Sequence, residues 1–266
     1  MKRLTALIAS IILAAATGAC SQPSGANQGS TATTPPANGS TPPASASCEP
    51  LETRSPNAES QTPAFPGQTR ACEADSNVEY DVVVLAKGLV NPWAVEPLPN
   101  GDLLITERPG RMRVISATGA VQQPIRGIPD VDEGGQGGLL DVALSPSFTS
   151  DRMIYWSYSE PRQGGNATSV ARGALSPDGL QVNQVQVIFR AQPTYDGRLH
   201  FGSRLTFDSD GMLYITLGER SNREVRPQAQ QLDSHMGKII RIRPDGSVPP
   251  DNPFVSRAGA LPEIWT

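Results

Sequence analysis

The chain has 266 residues, a formal net charge of −4, 38% hydrophobic and 18% charged residues, and 25 each of glycine and proline. That length allows one or two domains with a sizeable core. The lack of basic excess removes the electrostatic footprint of a nucleic-acid binder, and the many glycines and prolines at turn positions favour short strands over helices.

Lys2 and Arg3 precede an apolar run over residues 4–16, followed by Thr17-Gly18-Ala19-Cys20. A short basic segment, an apolar segment too short to span comfortably, and small residues before a cut make residues 1–19 a secretory signal. Small residues directly before Cys20 resemble the lipobox of bacterial lipoproteins, although Thr17 stands where leucine is usual. The resemblance implies cleavage before Cys20, its acylation, and a lipid anchor on the periplasmic side of the bacterial cell envelope. Residues 20–47 are rich in Ser, Thr, Pro, Ala and Gly and carry no charged or aromatic side chain. Such a segment cannot bury enough apolar surface to offset ordering, so it is expected to be a disordered tether reaching roughly 30 Å. Residues 48–77 follow as a stapled appendage, in which Cys48 and Cys72 are expected to pair in an oxidising compartment. A loop of that size gains about 3–4 kcal/mol from the link.

From residue 78 the pattern changes. Residues 80–85, Tyr-Asp-Val-Val-Val-Leu, read as a strand. A strand–turn–strand unit then recurs over residues 93–106, 140–157 and 204–216, at spacings of about 50–60 residues, as in propeller blades with long loops. Third strands follow at residues 110–115 and 237–242, and residues 185–189 read as the outer strand of the middle unit. Residues 262–266 read as the opening of a fourth unit. The expectation is an all-β fold in which residues 78–266 form part of a β-propeller with about three blades present. Isolated, such a piece exposes two blade faces and is expected to be poorly soluble.

The third unit carries the chemistry. His200 enters its first strand, Asp208, Asp210 and Gly211 form the turn, and Glu219 and Arg220 leave the second strand. A hairpin brings its open ends together, so an imidazole and a carboxylate meet at one mouth of the sheet. The alternative for His200 is a structural histidine, and for Glu219 an ion pair with Arg204 or Arg220. Gln136 lies in Gly134-Gly-Gln-Gly-Gly138, a backbone open to close approach by a planar ligand or simply a flexible loop. Asp130, Asp132 and Glu133 match no calcium loop and read as a solvated turn, and His235 is given no role.

Taken in order, Leu89-Val-Asn-Pro-Trp-Ala-Val95, Leu104-Ile-Thr-Glu-Arg108, Gly135-Gln-Gly-Gly-Leu-Leu-Asp141, His200-Phe-Gly-Ser-Arg-Leu205, Leu217-Gly-Glu219, Met236-Gly-Lys-Ile-Ile-Arg241 and Asp251-Asn-Pro-Phe254 resemble the soluble quinoprotein glucose/sorbosone dehydrogenases, most of all their periplasmic aldose sugar dehydrogenases. The resemblance implies a six-bladed propeller that uses pyrroloquinoline quinone with calcium to oxidise the anomeric hydroxyl of an aldose to a lactone. It implies that His200 is the general base, Glu219 its acidic partner, and Gln136 and Arg204 neighbours of the cofactor. Leu199 stands where the glucose enzyme has an acidic residue, which points to looser sugar contacts. The family's remaining quinone ligands and calcium site belong to later blades, so this chain is expected to hold the base without the whole cradle. The competing readings are a non-enzymatic propeller that binds a carbohydrate or protein, and a calcium-dependent propeller lactonase. The electron acceptor is not legible.

Overall fold

The computed structural model describes residues 51–55, 60–62, 72–74 and 76–266. The expected signal, Cys20, the tether and Cys48 lie outside the described residues, while Cys72 is disulfide-bonded. The chain divides into two units, and the second, Tyr80–Thr266, holds every named strand.

Residues 80–85 do not form the expected strand. They are extended but unpaired, with Tyr80, Val82 and Val83 more than 80% exposed. β-Propensity measures how well a side chain fits a pleated, half-buried surface, and no described strand pairs with this segment.

The remaining segments pair largely as expected, in three antiparallel sheets. The first holds β1 (Pro92–Pro97), β2 (Leu103–Glu107) and β3 (Arg111–Ile115) in chain order. The second holds β4 (Leu139–Leu144), β5 (Met153–Arg162), β6 (Gly165–Leu175) and β7 (Val182–Arg190). A one-turn helix, Phe148–Asp151, joins β4 to β5. The third holds β8 (Gly202–Phe207), β9 (Leu213–Leu217) and β10 (Ile239–Ile242). Residues 262–266 do not open a further sheet. Arg241 donates its N–H to Glu263 O at 2.9 Å and Ile239 to Thr266 O at 2.7 Å, so the segment lies along β10. Burial decides this placement: Ile264 is fully covered and packs with Ile240 and Ile242.

One device joins successive sheets. Each first strand is bulged, with register shifts between Pro92 and Ala94, Leu139 and Val142, and Gly202 and Leu205. At each bulge an N–H turns to a hydroxyl on the second strand. Ala94 donates to Thr106, Asp141 to Ser157 and Arg204 to Thr216, all at 3.0 Å. The hydroxyls of Thr106 and Ser157 then donate to carbonyls of the next sheet, Leu140 O and Ser203 O. A β-bulge re-aims a strand, and here it frees one polar group per sheet for its neighbour.

The cores lie between the sheets. Leu104, Met112, Ile154, Trp156 and Tyr158 pack between the first and second, and Tyr155, Val170, Leu213 and Ile215 between the second and third. Strand β5 is thus buried on both faces over its first part, where Met153-Ile-Tyr-Trp156 and Tyr158 carry the apolar surface. Each large side chain so covered contributes about 1.5–3 kcal/mol. The packing fixes the strand ends, and the strand ends carry the polar site.

Candidate active site

The hairpin of β8 and β9 closes at Asp208–Gly211 and opens at His200 and Glu219. At the closed end Asp208 Oδ1 accepts the N–H groups of Asp210 and Met212, both at 2.9 Å. At the open end His200 Nδ1 contacts Glu219 Oε2, so the structure brings the two residues together. Glu219 is paired neither with Arg204 nor with Arg220; its second oxygen lies 3.6 Å from Arg226 Nε. Burial works to raise the Glu219 carboxyl, but the N–H of its own residue and the His200 imidazole outweigh it, and its pKa lies below the ordinary glutamate value. An ionised carboxylate accepts only, so Nδ1 carries the proton that faces it, and the Nε2 lone pair is the one a neutral ring offers. The His200 side chain is 54% exposed, which leaves that lone pair accessible.

Gln136 reaches the same residue from the second sheet. Its Oε1 accepts the His200 N–H at 2.8 Å, and its own N–H donates to Arg198 O at 2.7 Å. The loop around it is not slack. Arg108 binds Gly137 O at 2.8 Å, Glu133 O at 3.0 Å and also Gly135 O. The glycines serve close approach of the chain to itself: a Cβ on Gly135 would collide with Arg198 O, and one on Gly138 with Arg108 O. Asp132 is not a solvated turn residue either. It accepts from Gly134 N at 2.9 Å and Asn166 Nδ2 at 2.8 Å, and the Gly134 N–H is the main cause of its lowered pKa.

Arg204 lies across the mouth. Its guanidinium sits 4.6 Å over the Trp93 ring and donates to Asp141 Oδ1 at 2.8 Å. Asp141 also accepts Leu205 N at 2.7 Å, but its burial dominates and pushes its pKa up. His200, Gln136, Arg204, Trp93 and Thr216 together line a cleft of about 510 Å³. The other histidine, His235, is buried, with Nδ1 accepting Gln192 N–H at 3.1 Å.

The Glucose / Sorbosone dehydrogenase family matches residues 89–266, the whole of the three-sheet region and its site. The chain belongs to that family. Among its relatives, "Aldose sugar dehydrogenase YliI" of Escherichia coli (strain K12) is 44% identical over 198 residues, which are 74% of this chain and 52% of the relative. The crystal structure of the soluble aldose sugar dehydrogenase from Escherichia coli in its apo-form aligns with a TM-score of 0.66 at 44% identity, over 70% of this chain and 53% of that one. The PQQ-bound aldose sugar dehydrogenase from Streptomyces coelicolor aligns at 0.58 and 33% identity, over 69% and 52% of the two chains. The chain thus spans about half the length of the relatives it matches.

Three members of this family chain's site escaped the sequence reading. Asp141 and Arg108 lie inside quoted motifs but gave no signal of their role, since their partners are tens of residues away. Arg220, weighed only as a partner for Glu219, turns inward and is 5% exposed. Leu199 is 45% exposed beside His200. Among the described residues no group of three or more His, Cys, Asp or Glu is placed to hold a metal ion.

Proposed function

We propose that this chain is the base-bearing part of a pyrroloquinoline quinone-dependent sugar dehydrogenase that oxidises the anomeric hydroxyl of an aldose to a lactone. The single observation that carries the reading is the His200–Glu219 contact, with Gln136 on the His200 N–H, at the wall of a cleft of about 510 Å³. The donor chemistry of the cleft fits a planar, anionic quinone. Arg204 keeps guanidinium N–H groups beyond the one given to Asp141, Gln136 keeps its amide donors, and the Trp93 ring gives an apolar wall. Bound there, the quinone supplies the two-electron acceptor for the hydrogen on the anomeric carbon. For calcium, no group of three or more His, Cys, Asp or Glu is placed to hold it among the described residues.

The chain's own residues handle the proton. His200 Nε2 accepts it from the anomeric hydroxyl as the C–H bond gives up its hydrogen with the electron pair, and the sugar leaves as the lactone. Glu219 stabilises the imidazolium that forms and holds the ring in one tautomer. Arg204, braced by Asp141 and Trp93, and Gln136 orient what enters the cleft. Leu199, exposed beside His200, offers no charged contact to the sugar, in keeping with looser sugar contacts.

The remaining parts of the reading rest on the family resemblance and on sequence pattern. They are a six-bladed propeller, a lipid anchor at Cys20, and a place on the periplasmic side of the cell envelope, with an electron acceptor still to be identified. The test is a quinone titration of the purified protein, with and without calcium, followed by aldose-dependent dye reduction. Saturable quinone binding and dye reduction that needs the aldose are expected of the protein with the later blades that complete the cradle. Carbohydrate binding without dye reduction in the quinone-loaded protein would replace this reading with that of a binding module.

A further inference from the structure

His200 adopts φ = 49°, a left-handed conformation that a non-glycine residue holds only when its surroundings impose it. Relaxing that angle would swing the imidazole away from Glu219. Gln136 grips the His200 N–H from the cleft side; from behind, Asn166 Nδ2 and the Thr168 hydroxyl donate to Gly197 O and Phe201 O, both at 3.0 Å, and one buried side chain, Arg220, reaches more of the loop than either. Arg220 Nε donates to Leu199 O at 3.0 Å, and Nη2 donates to Gly197 O. Its backbone N–H lies 3.3 Å from His200 O, and its guanidinium sits 4.1 Å from the centre of the Phe201 ring. Residues 197, 199, 200 and 201 are therefore all held by Arg220.

The charge of this arginine is balanced at one remove. Nη2 also donates to Asn166 Oδ1 at 2.6 Å, and Asn166 Nδ2 donates to Asp132 Oδ2 at 2.8 Å. A buried cation is costly unless its donors are satisfied and its charge is answered. Packing alone does not call for one here. A planar fork with several fixed N–H directions is suited to clamping carbonyls that point several ways, and a lysine is not.

From this geometry we propose that Arg220 is a positioning residue: by clamping residues 197–201 it holds His200 in its left-handed conformation and so fixes the Nδ1–H tautomer that faces Glu219. The proposal deepens the reading of His200 as the base and rests on it for its catalytic consequence, though not for its structural one.

The experiment compares wild type with Arg220→Lys by ¹⁵N correlation spectra of the His200 ring, without quinone or sugar, and then by kcat and KM for an aldose after quinone loading. The expected wild-type spectrum shows one Nδ1–H tautomer, and Arg220→Lys shows averaged ring nitrogens. A kcat lower by at least tenfold is expected, with KM within twofold and the melting midpoint within a few degrees. A residue that only braced the fold would lower the midpoint and leave the tautomer unmoved. An unchanged ring spectrum in folded Arg220→Lys overturns the proposal. Should that variant not fold, Asn166→Ser takes its place: it frees one guanidinium N–H and removes the Asn166 Nδ2 bonds to Gly197 O and Asp132, but spares the Arg220 bonds to residues 197 and 199. Partial averaging and a several-fold loss of kcat are then expected, and an unaltered ring and rate overturn the proposal. His200→Ala separates the two readings. If it keeps full activity, the base assignment falls, while the tautomer result still stands or falls alone.

Discussion

The two ends of the β8–β9 hairpin are built on different principles. The closed end, Asp208–Gly211, is local. Asp208 binds N–H groups two and four residues ahead, and the one left-handed residue there is Gly211, with nothing within 4 Å of where a Cβ would stand. The open end is not local. His200, Ser203, Arg220 and Ser221 all adopt positive φ without being glycine, and the groups that hold His200 and Arg220 come from 64 and 54 residues away. The closed end sets the register, and the open end stores strain that distant contacts maintain. Strain of this kind, about 1–3 kcal/mol per residue, concentrates where a side chain must be aimed.

Two glycines of the hairpin sharpen the contrast most. A Cβ on Gly218 would collide with His200 O, whereas Gly211 has open space around it. Gly218→Ala is therefore expected to displace the imidazole and lower kcat on the order of 100-fold, together with a loss of about 1–3 kcal/mol in stability. Chemical denaturation and aldose-dependent dye reduction, run on the same preparations, check both. Glu219→Gln comes next. It keeps the shape but loses the charge that stabilises the imidazolium, and kcat is expected to fall by about 10- to 100-fold while quinone affinity stays within twofold. Gly211→Ala introduces only the strain of a positive φ, so a loss of about 1 kcal/mol with kcat unchanged is expected. A large activity loss in Gly211→Ala would erase the distinction between the two ends.

The smallest expected effect is a pH dependence. The Glu219 carboxyl is held below its ordinary value of 4.5, so near that pH the folded chain binds fewer protons than the unfolded one. The stability it contributes is present above 4.5 and is lost as the pH falls through the folded value. The gap in melting midpoint between wild type and Glu219→Gln should be full near pH 6 and shrink below about pH 4. A gap that stays constant across that range would mean that the fold does not hold the carboxyl below its ordinary value.

The same division between local and distant contacts governs what could be read from the sequence. The Asp208–Gly211 turn, the alternating strands around it and the meeting of His200 with Glu219 all follow from a hairpin, whose logic is written in adjacent residues. Strand β6 was not legible: its buried stretch, Asn166-Ala-Thr-Ser-Val-Ala171, mixes small and polar side chains and shows neither apolar alternation nor a long apolar run. Residues 80–85 erred the other way, since their β-branched run signals a strand but cannot supply a partner. Asp132 looked like part of a solvated acidic turn because its partner, Asn166, belongs to β6. Arg220 looked like a surface counter-ion because nothing adjacent in the sequence reveals the carbonyls it binds.

The central claim is that the open end of this hairpin delivers a proton acceptor to the cleft. The most direct measurement is aldose-dependent dye reduction by His200→Ala beside wild type, both loaded with pyrroloquinoline quinone and both shown to bind it. The account predicts equal quinone binding and a rate at least 100-fold lower in the variant. Equal rates in the two loaded proteins would contradict it and move the base elsewhere.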